Sequence, residues 1–183
     1  SLLNAGLPEI ISEEDRTEML GMYHKDWGSY HYCIADIDGT GYAKALESYG
    51  KSLETFKGSS LKCAVIRTEI AQVLYGQKDY AKALEFLEDN FSYYSSILIE
   101  PSITSLSQVA LCQAQLGRFD EAIENIDRCI SICADTSMAI HGREEMLAEL
   151  KRKYGKIMSL KAETSGKDSK EAIGYYKEYF HAK

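Results

Sequence analysis

Four short segments of this 183-residue chain repeat one another, at 41–47, 79–85, 118–124 and 168–174. Their shared pattern is aromatic-x-x-Ala-aliphatic-Glu, read as Tyr42/Ala45/Leu46/Glu47, Tyr80/Ala83/Leu84/Glu85 and Phe119/Ala122/Ile123/Glu124. In the fourth copy Ser169 replaces the aromatic and Gly174 the glutamate around Ala172. The anchor alanines stand 38, 39 and 50 residues apart. A repeat of this period is one supersecondary unit whose apolar face is covered only by its neighbours, so it excludes most single-core folds.

The chemistry inside each unit specifies a helical hairpin. A small anchor lets two helices approach closely, and the aromatic three residues earlier shares its face. Four residues after each anchor the stripe continues as Tyr49, Leu87, Ile126 and Tyr176. Another apolar-periodic stretch precedes each of the middle anchors, 61–75 and 103–116, and each ends in a turn, Gly76-Gln77-Lys78-Asp79 and Gly117-Arg118. Only two prolines, Pro8 and Pro101, interrupt the chain, which leaves room for long helices.

These units resemble tetratricopeptide repeats. The closest match is 109–122, with the small residue Ala110 in the first helix, the turn glycine Gly117 and the second-helix Ala122. In the preceding unit Ala71 fills the small position and Lys78 takes the place of the turn glycine. The resemblance covers roughly 20–183. It implies an all-α fold: a right-handed superhelix of stacked antiparallel helical hairpins, with units near 14–58, 60–97, 102–134 and 137–183, in one repeat domain. The spacings exceed the usual repeat length, the unit-end proline is missing, and the first unit is expected to carry an enlarged turn over 36–41. The stretch 137–163 is expected to be helical, capped by Asp135, Thr136 or Ser137. The chain begins without methionine and stops inside a helical pattern, so it is expected to be a fragment of a longer protein. The closing run 167–183 resembles the last repeat of bacterial signalling proteins in which repeats precede an output module.

Composition narrows the partners. A formal net charge of -7 lacks the electrostatic footprint of nucleic-acid binding and does not suit an anionic membrane surface. No stretch is long and apolar enough to read as a membrane span, and no signal peptide opens the chain. The five cysteines, Cys33, Cys63, Cys112, Cys129 and Cys133, form no CxxC pair and are expected to be buried thiols of a reducing cytoplasm. The thirteen tyrosines are expected mostly to pack between helices.

One motif points elsewhere. Asp36-Ile37-Asp38-Gly39-Thr40 resembles the nucleophile motif of haloacid-dehalogenase-type phosphatases, in which the first aspartate attacks phosphorus beside magnesium. That chemistry needs the end of a buried parallel strand in an α/β fold, whereas helical hairpins follow here. A polar inter-helix turn is the plainer reading. His24 and His31 share one helix face without a third ligand, and no phosphate-cradling glycine pattern occurs.

The function implied by the resemblance is protein or peptide binding, without catalysis or cofactor. The concave face is made by the first helix of each hairpin. By register, the groove candidates are Thr68, Gln72 and Tyr75, then Thr104, Ser107, Leu111 and Gln115, with Lys25, Ser29 and Tyr32 contributing from the first unit. This mixed polar surface suits a peptide held by amide hydrogen bonds and a few apolar pockets. The lysine and asparagine with which related repeats clamp a terminal carboxylate are not matched. Control of a fused output domain is the alternative role. Open solenoid ends leave an apolar face that a homodimer would cover.

Overall fold

The computed structural model describes residues 11–38, 40–164 and 174, leaving aside the side chains of 36–38. The expected fourth anchor, Ala172, and its partner Tyr176 lie outside the described residues. Among those described, every regular element is an α-helix. The chain divides into two compact units, 1–77 and 78–183. Within unit 1, α1 (Glu13–Asp38), α2 (Gly41–Thr55) and α3 (Ser60–Gly76) pack in sequence, and α1 also touches α3. Within unit 2, α4 (Tyr80–Tyr94), α5 (Ile99–Gln115), α6 (Phe119–Ala134) and α7 (Arg143–Thr164) pack in sequence, and α5 also touches α7.

The repeat anchors do what their size permits. Ala45, Ala83 and Ala122 are fully buried, as are Tyr49, Leu87 and Ile126 four residues on. The stripe predicted from sequence is therefore the core of each second helix. Helix ends follow local chemistry. Ser12 caps α1: its Oγ accepts the Asp15 N–H at 3.0 Å and donates to the Asp15 carboxylate at 2.7 Å. Glu13, Glu14 and Asp15 then face the positive end of the helix dipole. Pro101 sits in the first turn of α5, where its missing N–H breaks no helical bond.

The two middle turns are equivalent in backbone and unlike in residue. Gly117 has φ 78° and Lys78 has φ 64°, so the lysine sits in the left-handed region at the glycine's position. Such a conformation costs a side-chain-bearing residue about 1 kcal/mol, and glycine nothing comparable. Lys78→Gly should therefore raise stability by about 0.5–1 kcal/mol, and Gly117→Ala should lower it by about 1 kcal/mol. Urea denaturation followed by circular dichroism reads both, and equal signs would rule out the strain at Lys78.

Unit 1 is closed by an inversion of the usual sizes. Gly21, Gly28 and Ala35 form one small-residue stripe of α1, spaced by seven. A Cβ on Gly28 would lie 2.5 Å from the Tyr49 ring, and one on Gly21 would fall inside the Phe56 ring. The two aromatic rings of α2 and its C-cap thus occupy the space that side chains on α1 would need. Ser52, fully buried beside them, donates to the Gly21 carbonyl at 2.8 Å.

Three sequence expectations need correction. The turn expected over 36–41 is shorter: α1 runs on through Asp38, so Asp36 and Asp38 belong to its last turn. The helix expected from 137 begins at Arg143. Gly142 at φ 58° breaks the backbone there, and the Arg143 guanidinium instead gathers the carbonyls of Cys133, Asp135 and Met138. Asp135 accepts the Ser137 N–H at 2.9 Å, which holds a turn rather than a helix start. The cysteines are not uniformly buried: Cys33 is exposed, while Cys63, Cys112, Cys129 and Cys133 are buried. Burial pushes the Cys112 and Cys129 thiols up to about 12, which removes their thiolates at neutral pH. One thiol in five is expected to react with Ellman's reagent promptly and the other four only on unfolding. Two or more prompt thiols would contradict this packing.

Candidate peptide-binding surface

The predicted groove residues fall on the first helices, as expected, but they are divided between the two units. In unit 1, Thr68, Gln72 and Tyr75 are half-buried along α3. Thr68 Oγ1 donates back to the Ala64 carbonyl at 3.1 Å. The Gln72 carbonyl accepts from the Tyr32 hydroxyl of α1 at 3.5 Å. Ser29, also of α1, stands 3.0 Å from the Tyr49 hydroxyl, which in turn donates to Glu69 of α3 at 3.4 Å. Burial pushes the Tyr49 phenol up to about 12, so it remains a donor. Lys62 of α3 pairs with Glu18 of α1. Of the side chains that sequence placed in the groove here, Tyr32 thus ties α1 directly to the backbone of α3, and Ser29 does so through Tyr49 and Glu69.

Unit 2 holds a cavity. It is about 310 Å³ in volume and lies between α5 and α7. Ile103, Met146 and Leu150 supply apolar lining, Thr104 and Ser107 a polar wall, and Glu145 and Glu149 an acidic side. Two of the four residues predicted from α5 thus line it. Leu111 and Gln115 do not; they are half-buried nearer the end of α5. Ser107, expected to face the groove, is fully buried, because Lys153 of α7 lies over it and donates to its Oγ at 2.8 Å. Ser107 Oγ donates in turn to the Thr104 carbonyl at 2.8 Å, so the hydroxyl is satisfied on both sides.

Lys153 is the residue that the groove assignment missed. Its side chain is only 15% exposed, with Glu149 3.9 Å away. Burial pushes its ammonium below the ordinary lysine range, and the Glu149 carboxylate opposes this in part. The signal in the sequence is its position: Met146, Leu150 and Ile157 make a helical stripe with Lys153 in it, spaced 4-3-4, where a solvated lysine does not belong. A buried cation held by one hydroxyl and a distant carboxylate costs stability. Lys153→Met is expected to stabilise the chain by about 1 kcal/mol near neutral pH. The sign follows from the direction of the shift. With the folded-state value depressed, the penalty is complete while both states are protonated and fades as pH rises through that value towards the unfolded one. The advantage of Lys153→Met should accordingly shrink in denaturation curves taken above neutral pH. A constant advantage would place the cost elsewhere.

A second cleft of about 350 Å³ opens where the loop between α4 and α5 meets the end of α6. Ile97, Leu98 and Met138 are exposed around it, and the Arg128 guanidinium lies over Phe91 with 5.7 Å to the ring centroid.

The aspartate motif has no catalytic setting of the expected kind. A phosphatase nucleophile of that type ends a strand, whereas the backbone of Asp36 and Asp38 is the last turn of a 26-residue helix. Among the described residues no cluster of three or more His, Cys, Asp and Glu is placed to hold a metal ion, and no helix is long and apolar enough to cross a membrane.

No family model matches the sequence, and no curated protein does. Solved structures do match. One is a Podosopora anserina candidate kinesin light chain with nearly identical TPR-like repeats, aligned over 82% of this chain and 73% of that one at 14% identity and a TM-score of 0.58. A single-substitution variant of that protein aligns over 85% and 77% at 12% identity and a TM-score of 0.57. With the anchor alanines buried, the turns in register and the helices paired as hairpins within these units, the chain has the tetratricopeptide-like repeat fold.

Proposed function

We propose that the chain is a protein-interaction module that takes a peptide on its first-helix face, with the α5–α7 cavity seating one apolar side chain. The cavity carries this reading: it opens beside α5, on which Thr104 and Ser107 were expected to face the groove, and its volume suits one large side chain. Its chemistry selects a sequence. Ile103, Met146 and Leu150 accept an aliphatic or methionine side chain, while Glu145 favours a lysine or arginine beside it, Glu149 being already paired with Arg152. The chain's net charge of -7 adds a long-range preference for basic partners. Binding a peptide there needs no catalysis and no cofactor, in line with the scaffold role that the fold implies. Control of a fused output module rests on the closing run 167–183 alone and draws nothing from the cavity.

A peptide library displayed on phage tests this, selected on the chain and on its Thr104→Arg variant. The arginine would project over the cavity from the exposed Thr104, leaving the core intact. Peptides joining an aliphatic anchor to basic neighbours should enrich on the parent and bind the variant at least tenfold more weakly. Enrichment of peptides indifferent to Thr104→Arg would place binding away from the cavity. No enrichment at all would remove the peptide-binding reading.

A further inference from the structure

α1 is apolar on two sides. One side is the small stripe of Gly21, Gly28 and Ala35 that receives α2. The other, turned away from α2, carries Leu20, Tyr23, Trp27 and Tyr30, which are 50, 56, 42 and 54% exposed, with Met19 and Met22 on its flank. Large side chains thus face solvent where small ones face the core. The rings are already assembled: Tyr23 and Tyr30 both meet Trp27 edge-on, at centroid distances of 6.2 and 5.4 Å. An assembled apolar patch on a helix face marks a contact surface.

The spacing admits a second copy of α1 as the occupant. Arg16, Leu20, Tyr23, Trp27, Tyr30 and Ile34 follow the 4-3-4-3-4 rhythm of a helix-pairing seam. That rhythm reads the same in both directions about residue 25: 16 mirrors 34, 20 mirrors 30, and 23 mirrors 27. A twofold dimer requires such self-complementarity, because residue i must meet j wherever j meets i. Area agrees. The five most exposed large side chains of this face leave on the order of 500 Å² uncovered per copy, taking ~200 Å² per large side chain. A pair therefore hides up to about 1,000 Å², the size of a weak, concentration-dependent contact.

We propose that this face of α1 is a self-association surface, on which the α1 of a second copy docks antiparallel with Leu20 against Tyr30 and Tyr23 against Trp27. The surface is independent of the α5–α7 cavity, so either reading can fail alone. Antiparallel docking also sets the two helix dipoles in opposition, which favours it.

Sedimentation velocity on the whole chain, from about 1 to 100 μM, should show a concentration-dependent dimer. Trp27 is the one tryptophan, so its emission should shift to the blue over the same range. Leu20→Glu and Tyr30→Lys, both at exposed positions, should each weaken the dimer at least tenfold while circular dichroism stays helical. Mixing the two variants decides the register. In the mixed dimer the introduced glutamate meets the introduced lysine at one end of the seam, and the native Leu20 and Tyr30 meet at the other, so dimer returns. A chain that stays monomeric at 100 μM overturns the proposal, and leaves the face to another chain or segment. A dimer that ignores both variants, or variants that do not rescue one another, overturn it equally.

Discussion

Gly28→Val is expected to cost unit 1 about 3 kcal/mol or more, which is a large part of the stability of a small unit. The added Cβ alone would stand 2.5 Å from the Tyr49 ring, and valine adds two methyl groups beyond it. The ring has nowhere to go. Tyr49 is fully buried, and its hydroxyl is held between Ser29 and Glu69. Relief therefore requires α1 to move off α2. Gly50 supplies the control, because a Cβ there meets nothing within 4 Å. Gly50→Ala, mid-helix in α2, should stabilise by about 1 kcal/mol through helix propensity alone. Urea denaturation of the two variants separates the effects: opposite signs are required, and a tolerated Gly28→Val would mean that α1 does not approach α2 this closely.

The second large effect belongs to unit 2. Ile126→Ala is expected to cost about 3 kcal/mol, the combined loss of buried methylenes and of the contacts around the cavity left behind. Ile126 is fully buried on α6, four residues after the anchor Ala122. Ile123, one residue after the same anchor, is only half-buried. The identical substitution there should cost roughly half as much or less. The ratio, read from thermal or urea midpoints, tests the repeat register itself. Equal costs at 123 and 126 would mean that the stripe faces another way.

The second helices were the part most legible in the sequence. Three alanines repeat at near-constant spacing, and burial places each on the packed face together with the residue four positions later. The two middle turns were equally readable, including the exchange of glycine for Lys78, which the structure places at a left-handed position. What escaped was set by neighbours remote in sequence. The start of α7 depends on Arg143 reaching back to three carbonyls, and no local pattern announces that. The register of α5 put Thr104 and Ser107 on one face, but nothing local says that Lys153 arrives from α7 and covers one of them. Tyr23 and Tyr30 were expected to pack between helices, yet within the described structure they face solvent. Hydropathy says that a side chain is apolar; it does not say which of two apolar sides the chain will cover.

α1 makes that ambiguity physical. Its two sides differ little in oiliness and greatly in bulk, so α2 selects its partner by the depth of the groove rather than by its greasiness. The native orientation rests on steric exclusion. The face with glycines admits two aromatic rings, and the face with tryptophan and tyrosines does not. A sequence redesigned to keep hydropathy while exchanging sizes, with alanine outside and leucine inside, would preserve every polarity rule and still turn the helix over.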